Sequence, residues 1–335
     1  MLLRVSDRMG KDRSFFGESG IALFLVLWVL ALLSVIVGEF CFAMRTEVNI
    51  TRNFKEGTQA YYIAEAGLNI AVIELLKNGL MPREAELSYS EDDENEVVWR
   101  INIDMPPISF AQGQFKVRVE NESGKININR AGSGLLRMML NGFDLEDADK
   151  DVIVDSILDW RDKDHFHRVN GAEDDYYLSL QEPYECKDDR FDSIKELMLV
   201  KGLTSEMFYG GLRERVSVYK EKGIKKGFDF NRININAASA GVLGILPMMT
   251  EDLILAIMDY RKEKDFRSMS DLTLVIGTEA YAAISRFITL ENCPYYTVKS
   301  VGMVEGSRTQ QGLEVLVRID AGEKRGYRII RWIEN

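Results

Sequence analysis

Acidic side chains between residues 162 and 177 are the best candidates in this sequence for binding a ligand. Two aspartates with one residue between them share one side of a loop, and an acidic triplet follows the turn at 170–171. Two acidic arms that face one another repel by about 1 kcal/mol per close exposed pair unless a cation lies between them. The candidate ligands are the carboxylates of Asp162, Asp164, Glu173, Asp174 and Asp175.

The residue types in this segment indicate which cation it would bind. Carboxylate oxygens without thiolates favour Ca²⁺ or Mg²⁺, and a flexible loop that offers six or more oxygens suits Ca²⁺ better. The segment does not match an EF-hand loop, because no glutamate follows at the twelfth position after a DxDxDG start. We therefore predict a calcium site. The alternative is a solvated acidic loop that keeps the protein soluble.

Histidine and cysteine usage excludes most classes of catalytic site. The two histidines, His165 and His167, both lie in the acidic segment, so no histidine elsewhere can act as a general base. We expect both to be neutral surface residues. Cys41, Cys186 and Cys293 lack the CxxC spacing of a zinc site, and whether Cys186 and Cys293 form a disulfide is not decided by the sequence. We predict that the protein is not an enzyme and has no catalytic residues.

Two copies of an internal repeat carry this segment. Three blocks recur in the same order: 126–131 at 233–238, 157–161 at 257–261, and 191–202 at 266–277. Each copy is predicted to form helix, turn and helix, followed by a short helix that ends at a glycine. The first copy holds the acidic segment between Arg161 and Phe191, where the second has only a short link. This difference makes the acidic segment the best candidate site.

The repeats are similar to helix-hairpin-helix modules, some of which bind the DNA backbone. This similarity gives an alternative function, a membrane-anchored DNA receptor of a competence system. However, residues 247–250 (PMMT) occupy the turn where glycines would let backbone N–H groups approach phosphate. The chain has 53 acidic and 42 basic residues, a net charge of −11, which gives no general attraction to phosphate. No nucleic-acid partner is expected.

Alternating apolar and polar residues predict strands on both sides of the repeats. Before the repeats the predicted strands are 97–104, 115–120 and 125–129, and after them 295–304, 312–320 and 326–333. The repeats therefore form an insert within a small sheet.

An uninterrupted apolar run at 21–37 predicts a membrane-spanning helix. A helix of this length reaches about 25 Å, which is short but within the usual range for a spanning helix. The basic residues that precede it place the amino terminus in the cytoplasm and the bulk of the chain outside: Arg4, Arg8, Lys11 and Arg13. The helix continues through 38–77 as an amphipathic helix, whose stripe of small and apolar residues should pack on a globular domain.

These features resemble the type IV pilin and pseudopilin family: a basic leader, a glycine before an apolar helix, and the continuation YYIAEAG at 61–67. The resemblance implies that a prepilin peptidase cuts after Gly20 and that the new amino terminus, Ile21, is methylated. Most members have a glutamate at the fifth mature position, where this sequence has Leu25. The helix residues expected to pack in the filament are Leu25, Ala64, Gly67 and Leu68.

The missing glutamate and the length of the chain resemble the K pseudopilins of type II secretion systems, the large minor pseudopilins at the filament tip. A lone carboxylate in the bilayer is costly unless a neighbour pairs with it, and a subunit with nothing above it needs none. The implied partners are other minor pseudopilins, the major pseudopilin, a prepilin peptidase and the inner membrane. K pseudopilins are calcium proteins, and the acidic and tyrosine-containing run here looks like the segment involved.

The sequence thus predicts an α+β fold, in which a long N-terminal helix packs on a small antiparallel pilin-like sheet that carries a large all-helical insert. The predicted parts are a cleaved cytoplasmic leader at 1–20, the long helix at 21–78, a first pilin-like part at 79–130, a helical insert at 131–290 with repeats at 124–220 and 232–290, and a second pilin-like part at 291–335. The predicted function is that of a minor pseudopilin at the tip of the secretion pseudopilus, which initiates or caps assembly for export of folded proteins. The alternatives are the DNA receptor and an unrelated anchored binding module.

Overall fold

The structure, a computed structural model, describes residues 16–80, 99–220 and 222–334. It divides into two units, Met1–Thr58 and Gln59–Asn335. One helix, α1 (Phe16–Leu80), contributes to both. The predicted leader at 1–20 lies mostly outside the described residues, as does the link at 81–98.

In the first unit, α1 exposes an apolar surface from residue 21 to residue 37. It is the only helix in the described part of the chain that is long and apolar enough to cross a membrane. Ser34, the single polar residue of the run, donates from Oγ to the carbonyl of Leu30 at 2.8 Å. This bond satisfies the hydroxyl inside the helix, as an apolar environment requires. Leu25 is exposed on the same surface.

The second unit contains a five-stranded antiparallel sheet in the order β1-β2-β7-β8-β9. Its strands are β1 (Ile108–Phe110), β2 (Gly113–Asn121), β7 (Tyr295–Val304), β8 (Gln310–Ile319) and β9 (Tyr327–Glu334). Alternate residues of β2 face the core, namely Phe115, Val117 and Val119. The α+β prediction and the four predicted strands at 115–120, 295–304, 312–320 and 326–333 are confirmed.

The end of α1 packs on this sheet through small residues. Ala60 and Ala64 are fully buried, and a Cβ added at Gly302 of β7 would lie 2.0 Å from the Ala60 carbonyl oxygen. A Cβ at Gly67 would lie 2.7 Å from the Phe115 ring. Helix and sheet therefore approach as closely as two backbones allow.

This packing corrects one prediction about the filament. The sequence placed Ala64, Gly67 and Leu68 at contacts between subunits, but Ala64 and Leu68 are 0% and 2% exposed within their own chain. Their surfaces are used to bury α1 on its own sheet, so they are not available to a neighbouring subunit. Of the predicted packing residues, Leu25 alone is exposed.

The predicted strand at 97–104 is also wrong in its described part. Residues 99–104 form a turn, and one isolated bridge joins Asp104 to Arg118 of β2. Asn102 has a φ of 66°, which interrupts an extended chain and which asparagine tolerates better than most residues. Its Oδ1 accepts a hydrogen bond of 2.9 Å from the backbone N–H of Asn121. The segment is therefore held at the end of β2 by a side chain.

Residues 122–294 form the insert between β2 and β7, whose ends are paired at Asn121 and Tyr296. Its α-helices are α2 (Ser133–Met139), α3 (Asp147–Arg161), α4 (Asp174–Tyr177), α5 (Ser205–Met207), α6 (Arg213–Arg215), α7 (Ala240–Leu243), α8 (Glu251–Glu263), α9 (Met269–Ile276) and α10 (Thr278–Ile284). Shorter turns of helix lie at Glu122–Gly124, Ile194–Leu199, Phe208–Leu212 and Ser285–Phe287.

Two short parallel strand pairs open and close the repeats. β3 (Ile126–Asn127) pairs with β4 (Val216–Ser217), and β5 (Ile233–Asn234) pairs with β6 (Ile288–Thr289). The insert is therefore not purely helical, and the predicted strand at 125–129 is shorter than expected and lies outside the main sheet. Both repeats contribute to one apolar core.

A buried carboxylate joins the insert to the sheet. Glu122 is 4% exposed and accepts hydrogen bonds from Ser217 (2.5 Å) in β4 and Thr297 (2.7 Å) in β7. Lys125 Nζ lies 2.8 Å from its Oε1. Burial acts to raise the pKa of Glu122, but Lys125 and these hydrogen bonds outweigh it and hold the pKa below its ordinary value.

Candidate metal-binding site

The acidic segment is folded by one aspartate near the end of α3. Asp159 is fully buried, and its Oδ2 accepts hydrogen bonds from the backbone N–H of Arg168 (3.1 Å) and of Ala172 (2.9 Å). Its Oδ1 lies 2.5 Å from Nη1 of Arg168. Because three donors converge on this carboxylate, residues 168–172 are drawn back against α3.

Arg168 extends the arrangement to a predicted ligand. The same Nη1 donates to Oδ2 of Asp162 at 2.6 Å. The other oxygen of that carboxylate, Oδ1, is buried and has no hydrogen-bond partner among the described residues. One half of Asp162 is thus held by an arginine while the other half is left available.

Glu173 presents a buried carboxylate with both oxygens unpaired. It is 3% exposed, and neither Oε1 nor Oε2 accepts a hydrogen bond from a nitrogen or hydroxyl group of the described chain; the Cys186 thiol lies within 4.8 Å of this carboxylate. Burial, and then the negative charge of Asp188, raises the pKa of Glu173 to about 7. A carboxylate placed in this way is costly unless a proton or a cation neutralises it.

Asp188 links the buried glutamate to a second group of possible ligands. Ligand atoms of Glu173, Cys186 and Asp188 all lie within 4.8 Å of one another, and so do those of His165, Asp174 and Asp188. Oδ1 of Asp188 is buried without a partner in the described chain, and its Oδ2 lies 3.0 Å from Nδ1 of His165. Asp188 is therefore shared between the two groups.

Backbone and aromatic contacts hold these side chains in place. Oδ1 of Asp174 accepts a 2.7 Å hydrogen bond from the backbone N–H of Cys186, which fixes the two ends of the loop to each other. Beneath them, the ring of Tyr177 packs edge-on against Trp160 (5.2 Å between centroids) and stacks on Tyr184 (5.3 Å). Short helix α4 is thus anchored to the core of the repeat.

The structure brings together some of the predicted ligands and not others. Glu173 and Asp174 lie with Asp188, and Asp162 is close enough to raise the pKa of Glu173. Asp164 is exposed, and its Oδ1 accepts from the N–H of Phe166, so its carboxylate stabilises a local turn.

Asp175 is likewise exposed and outside both groups. It follows Asp174 on a helix, and a rotation of about 100° per residue turns adjacent side chains to different sides.

Three residues of the site were missed by sequence reasoning: Cys186, Asp188 and His165. The acidic run continues through Glu182, Glu185, Asp188 and Asp189, and nothing in the sequence separates one of these from the others. Only the structure sets Asp188 apart from the other acidic residues of this run, since its backbone has a φ of 48°.

The donor set fits a divalent cation. Four buried carboxylate oxygens lack hydrogen-bond partners in the described chain: Asp162 Oδ1, Glu173 Oε1 and Oε2, and Asp188 Oδ1. Such atoms are rare in folded proteins, and hard oxygen donors of this kind suit Ca²⁺.

The remaining predicted positions are placed as follows. Gly20 and Ile21 lie in α1, and Ile21 is exposed. Cys186 and Cys293 are both buried and both free thiols, and they belong to different apolar clusters. The possible disulfide between them is not formed.

Comparisons with known proteins agree on one family. A family model described as "Type II secretion system (T2SS), protein K" matches residues 117–221. The Type II secretion system protein K of Pseudomonas aeruginosa is 25% identical over 293 residues, which cover 81% of this chain and 83% of that protein. The protein of the same name from Pectobacterium carotovorum is 27% identical over 209 residues, covering 57% of this chain and 60% of the relative.

A solved structure shares the fold. The chain is similar to one in the crystal structure of the GspK-GspI-GspJ complex from the enterotoxigenic Escherichia coli type 2 secretion system, with a TM-score of 0.54 and 16% identity. The similarity covers 85% of this chain and 99% of that one.

Proposed function

Because this chain belongs to the type II secretion system protein K family, whose members are minor pseudopilins, we propose that it occupies the tip of the pseudopilus. There it would initiate or cap assembly of the filament that exports folded proteins across the outer membrane. The observation that carries the proposal is the insert at 122–294, which leaves and rejoins a pilin-like sheet at neighbouring strands. A body of this size at one end of the sheet takes the space that a further subunit would need.

Other minor pseudopilins are the proposed partners, with the major pseudopilin below them. The exposed edge strand β9 supports this proposal, since Ile329, Ile330 and Ile333 are 43%, 46% and 36% exposed. An edge strand with apolar side chains is suited to pairing with another chain. The similar solved chain comes from a complex of this kind.

Binding to purified minor pseudopilins tests the partner proposal. Ile330→Arg should weaken binding at least tenfold, because it puts a charge on the proposed contact. Leu274→Arg, at a residue 86% exposed on α9, is the matched control and should bind normally. Equal affinities for both variants would remove β9 from the interface.

Processing and membrane insertion follow the pilin pattern in this proposal. A prepilin peptidase would cut after Gly20, and Ile21 would be methylated. The apolar surface of α1 at 21–37 and the basic residues before it support a single span in the inner membrane, with a cytoplasmic amino terminus and a periplasmic bulk.

The mass and amino-terminal sequence of the protein from its native membrane test this step. We expect a start at methylated Ile21, and Gly20→Arg should leave the full-length chain. Gly17→Arg is the control and should be processed normally. A native chain that starts at Met1 would contradict the proposed processing.

Calcium is the proposed ion at the acidic site, held by oxygens of Asp162, Glu173, Asp174 and Asp188. The unpaired buried oxygens of this group support it. A bound Ca²⁺ would neutralise the repulsion among these carboxylates and stabilise the loop; it would act structurally.

Thermal unfolding with Ca²⁺ and with EGTA tests the calcium proposal. A ligand present at one hundred times its Kd stabilises the folded state by about 2.7 kcal/mol. Glu173→Gln should lose most of this gain, whereas Asp175→Asn, exposed and outside the group, should keep it. Equal melting temperatures of the unsubstituted protein in Ca²⁺ and EGTA would exclude a calcium site.

The DNA receptor is not favoured by the comparisons, which agree on the secretion family.

A further inference from the structure

Cys186 places a thiol among the oxygens of the candidate metal site. Its sulfur and carboxylate oxygens of Glu173 and Asp188 lie within 4.8 Å of one another. Burial is the main cause that raises the pKa of this thiol, and the neighbouring carboxylates add to it.

His165 contacts the aspartate that this group shares with a second one. Its Nδ1 lies 3.0 Å from Asp188 Oδ2, and 72% of its side chain is exposed, so the ring is free to turn toward an ion. Thiolate, imidazole and carboxylate together form a ligand set typical of Zn²⁺ and unusual for Ca²⁺. Ligands of one tetrahedral zinc ion lie about 3.6 Å apart, so the ligand atoms of Glu173, Cys186 and Asp188, which lie within 4.8 Å of one another, need only small movements. His165 would complete the set by turning its exposed ring.

The other buried cysteine shows that this arrangement is more than ordinary core packing. Cys293 is 1% exposed, and its Sγ lies 3.4 Å from the amide oxygen of Asn121 and 3.5 Å from the carbonyl of Tyr295. Its thiol is satisfied by neutral groups. The Cys186 thiol instead faces Glu173, a buried carboxylate with two unpaired oxygens.

We propose that Cys186, with Glu173, Asp188 and His165, forms a binding site for a thiophilic divalent ion of the Zn²⁺ class. The inference rests on the proposed metal site and adds a second type of ion to it. On binding, the Cys186 thiol loses its proton to solvent and the resulting thiolate coordinates the ion. Since Zn²⁺ prefers this ligand set, it should displace Ca²⁺ from the shared carboxylates.

Titration of the full-length protein in detergent with Cd²⁺ alone and with Zn²⁺ alone tests the proposal. Cd²⁺ should produce the ultraviolet charge-transfer band of a thiolate complex, and Zn²⁺ affinity should be measured by competition with a chromogenic chelator. Cys186→Ser should abolish the band and weaken Zn²⁺ binding at least tenfold. The matched control, Cys293→Ser, should retain both. A Cys186→Ser variant with unchanged Zn²⁺ affinity, or a band that depends on Cys293, would overturn the proposal.

Two further readouts keep the test decisive. If Cys186→Ser folds poorly, the unsubstituted protein still decides the question, because Zn²⁺ binding should release one proton more than Ca²⁺ binding; equal proton release would count against thiolate coordination. Calcium affinity should change by no more than a few fold in Cys186→Ser. If the unsubstituted protein binds Ca²⁺ but not Zn²⁺, this inference alone is rejected. If it binds Zn²⁺ but not Ca²⁺, the calcium proposal alone is rejected.

Discussion

The two helical repeats begin with equivalent hydrogen bonds, but the environments of one equivalent aspartate differ. In the first, Asn129 accepts from the N–H of Phe191 (2.7 Å) and donates to its carbonyl (2.9 Å). In the second, Asn236 makes both bonds with Phe266 at 2.9 Å. These paired bonds join the start of each repeat to the beginning of its third block.

An arginine at the end of the long helix is also common to both. Arg161 donates to the carbonyl of Ala131 at 2.7 Å, and Arg261 donates to that of Ala238 at 2.6 Å. Burial lowers the pKa of each guanidinium to about 10, so both are charged at neutral pH.

The aspartates two residues earlier have opposite environments. Asp159 is fully buried and receives the acidic segment, whereas the side chain of Asp259 is 67% exposed and pairs with Lys262 at 2.7 Å. The same position therefore serves as a surface charge in one copy and as the anchor of a site in the other. Identity between the copies marks the scaffold, and the local difference marks the candidate site.

Replacing these two aspartates should give the largest difference in stability loss between the repeats. Asp159→Ala removes one of the two carboxylates that pair with Arg168 and leaves the backbone N–H groups of Arg168 and Ala172 without their acceptor, so it should lower the free energy of unfolding by about 2 to 4 kcal/mol. Asp259→Ala removes an exposed pair and should cost less than about 0.5 kcal/mol. Urea unfolding of both variants measures the difference. Equal losses would mean that Asp159 contributes no more to stability than Asp259.

The pH dependence of stability near neutral pH should arise from Glu173 in the first repeat. The folded-state pKa of Glu173 is raised to about 7, so between pH 4.5 and 7 the folded, metal-free protein binds more protons than the unfolded chain. Stability should therefore fall as pH rises through this window, by at most about 3 kcal/mol. Urea unfolding in EGTA should show the slope, and Glu173→Gln should remove it.

Replacing the equivalent asparagines should lower the free energy of unfolding equally in the two repeats. Asn129→Ala and Asn236→Ala each delete a side chain that satisfies one N–H and one carbonyl, and each should cost about 2 kcal/mol. Thermal or urea unfolding checks both. A loss confined to one copy would mean that the shared bonds differ in importance.

The smallest expected effect concerns a predicted ligand outside the site. Asp164→Asn keeps an oxygen that can accept from the N–H of Phe166, so it should change stability by less than about 0.5 kcal/mol. It should also leave calcium stabilisation intact. A large loss of calcium binding in this variant would return Asp164 to the set of ligands.

How far the sequence could predict this molecule differs between elements. Strands β7 and β8 have clear alternation and agree closely with their predicted bounds. Residues 97–104 alternate as well but turn at Asn102, because asparagine allows a positive φ without requiring it. The repeats were found because whole blocks recur.

The site was only partly predictable for a related reason. Glu173 and Asp174 follow a recognisable turn, but Asp188 comes to them through the fold, from a position that is one of several acidic residues in the sequence. The sequence indicated two uses for Ala64 and Leu68, packing on a globular domain and packing in the filament, and their burial on the sheet agrees with the first.

The pairing of Asn121 with Tyr296 has a consequence for the order of folding. These strands are neighbours in the sheet yet are separated by the whole insert, and closing so long a loop from an unfolded chain costs entropy before any strand contact forms. An insert that folds first brings its two ends together and shortens the search. We therefore expect the helical insert to act as a template on which β2 and β7 pair.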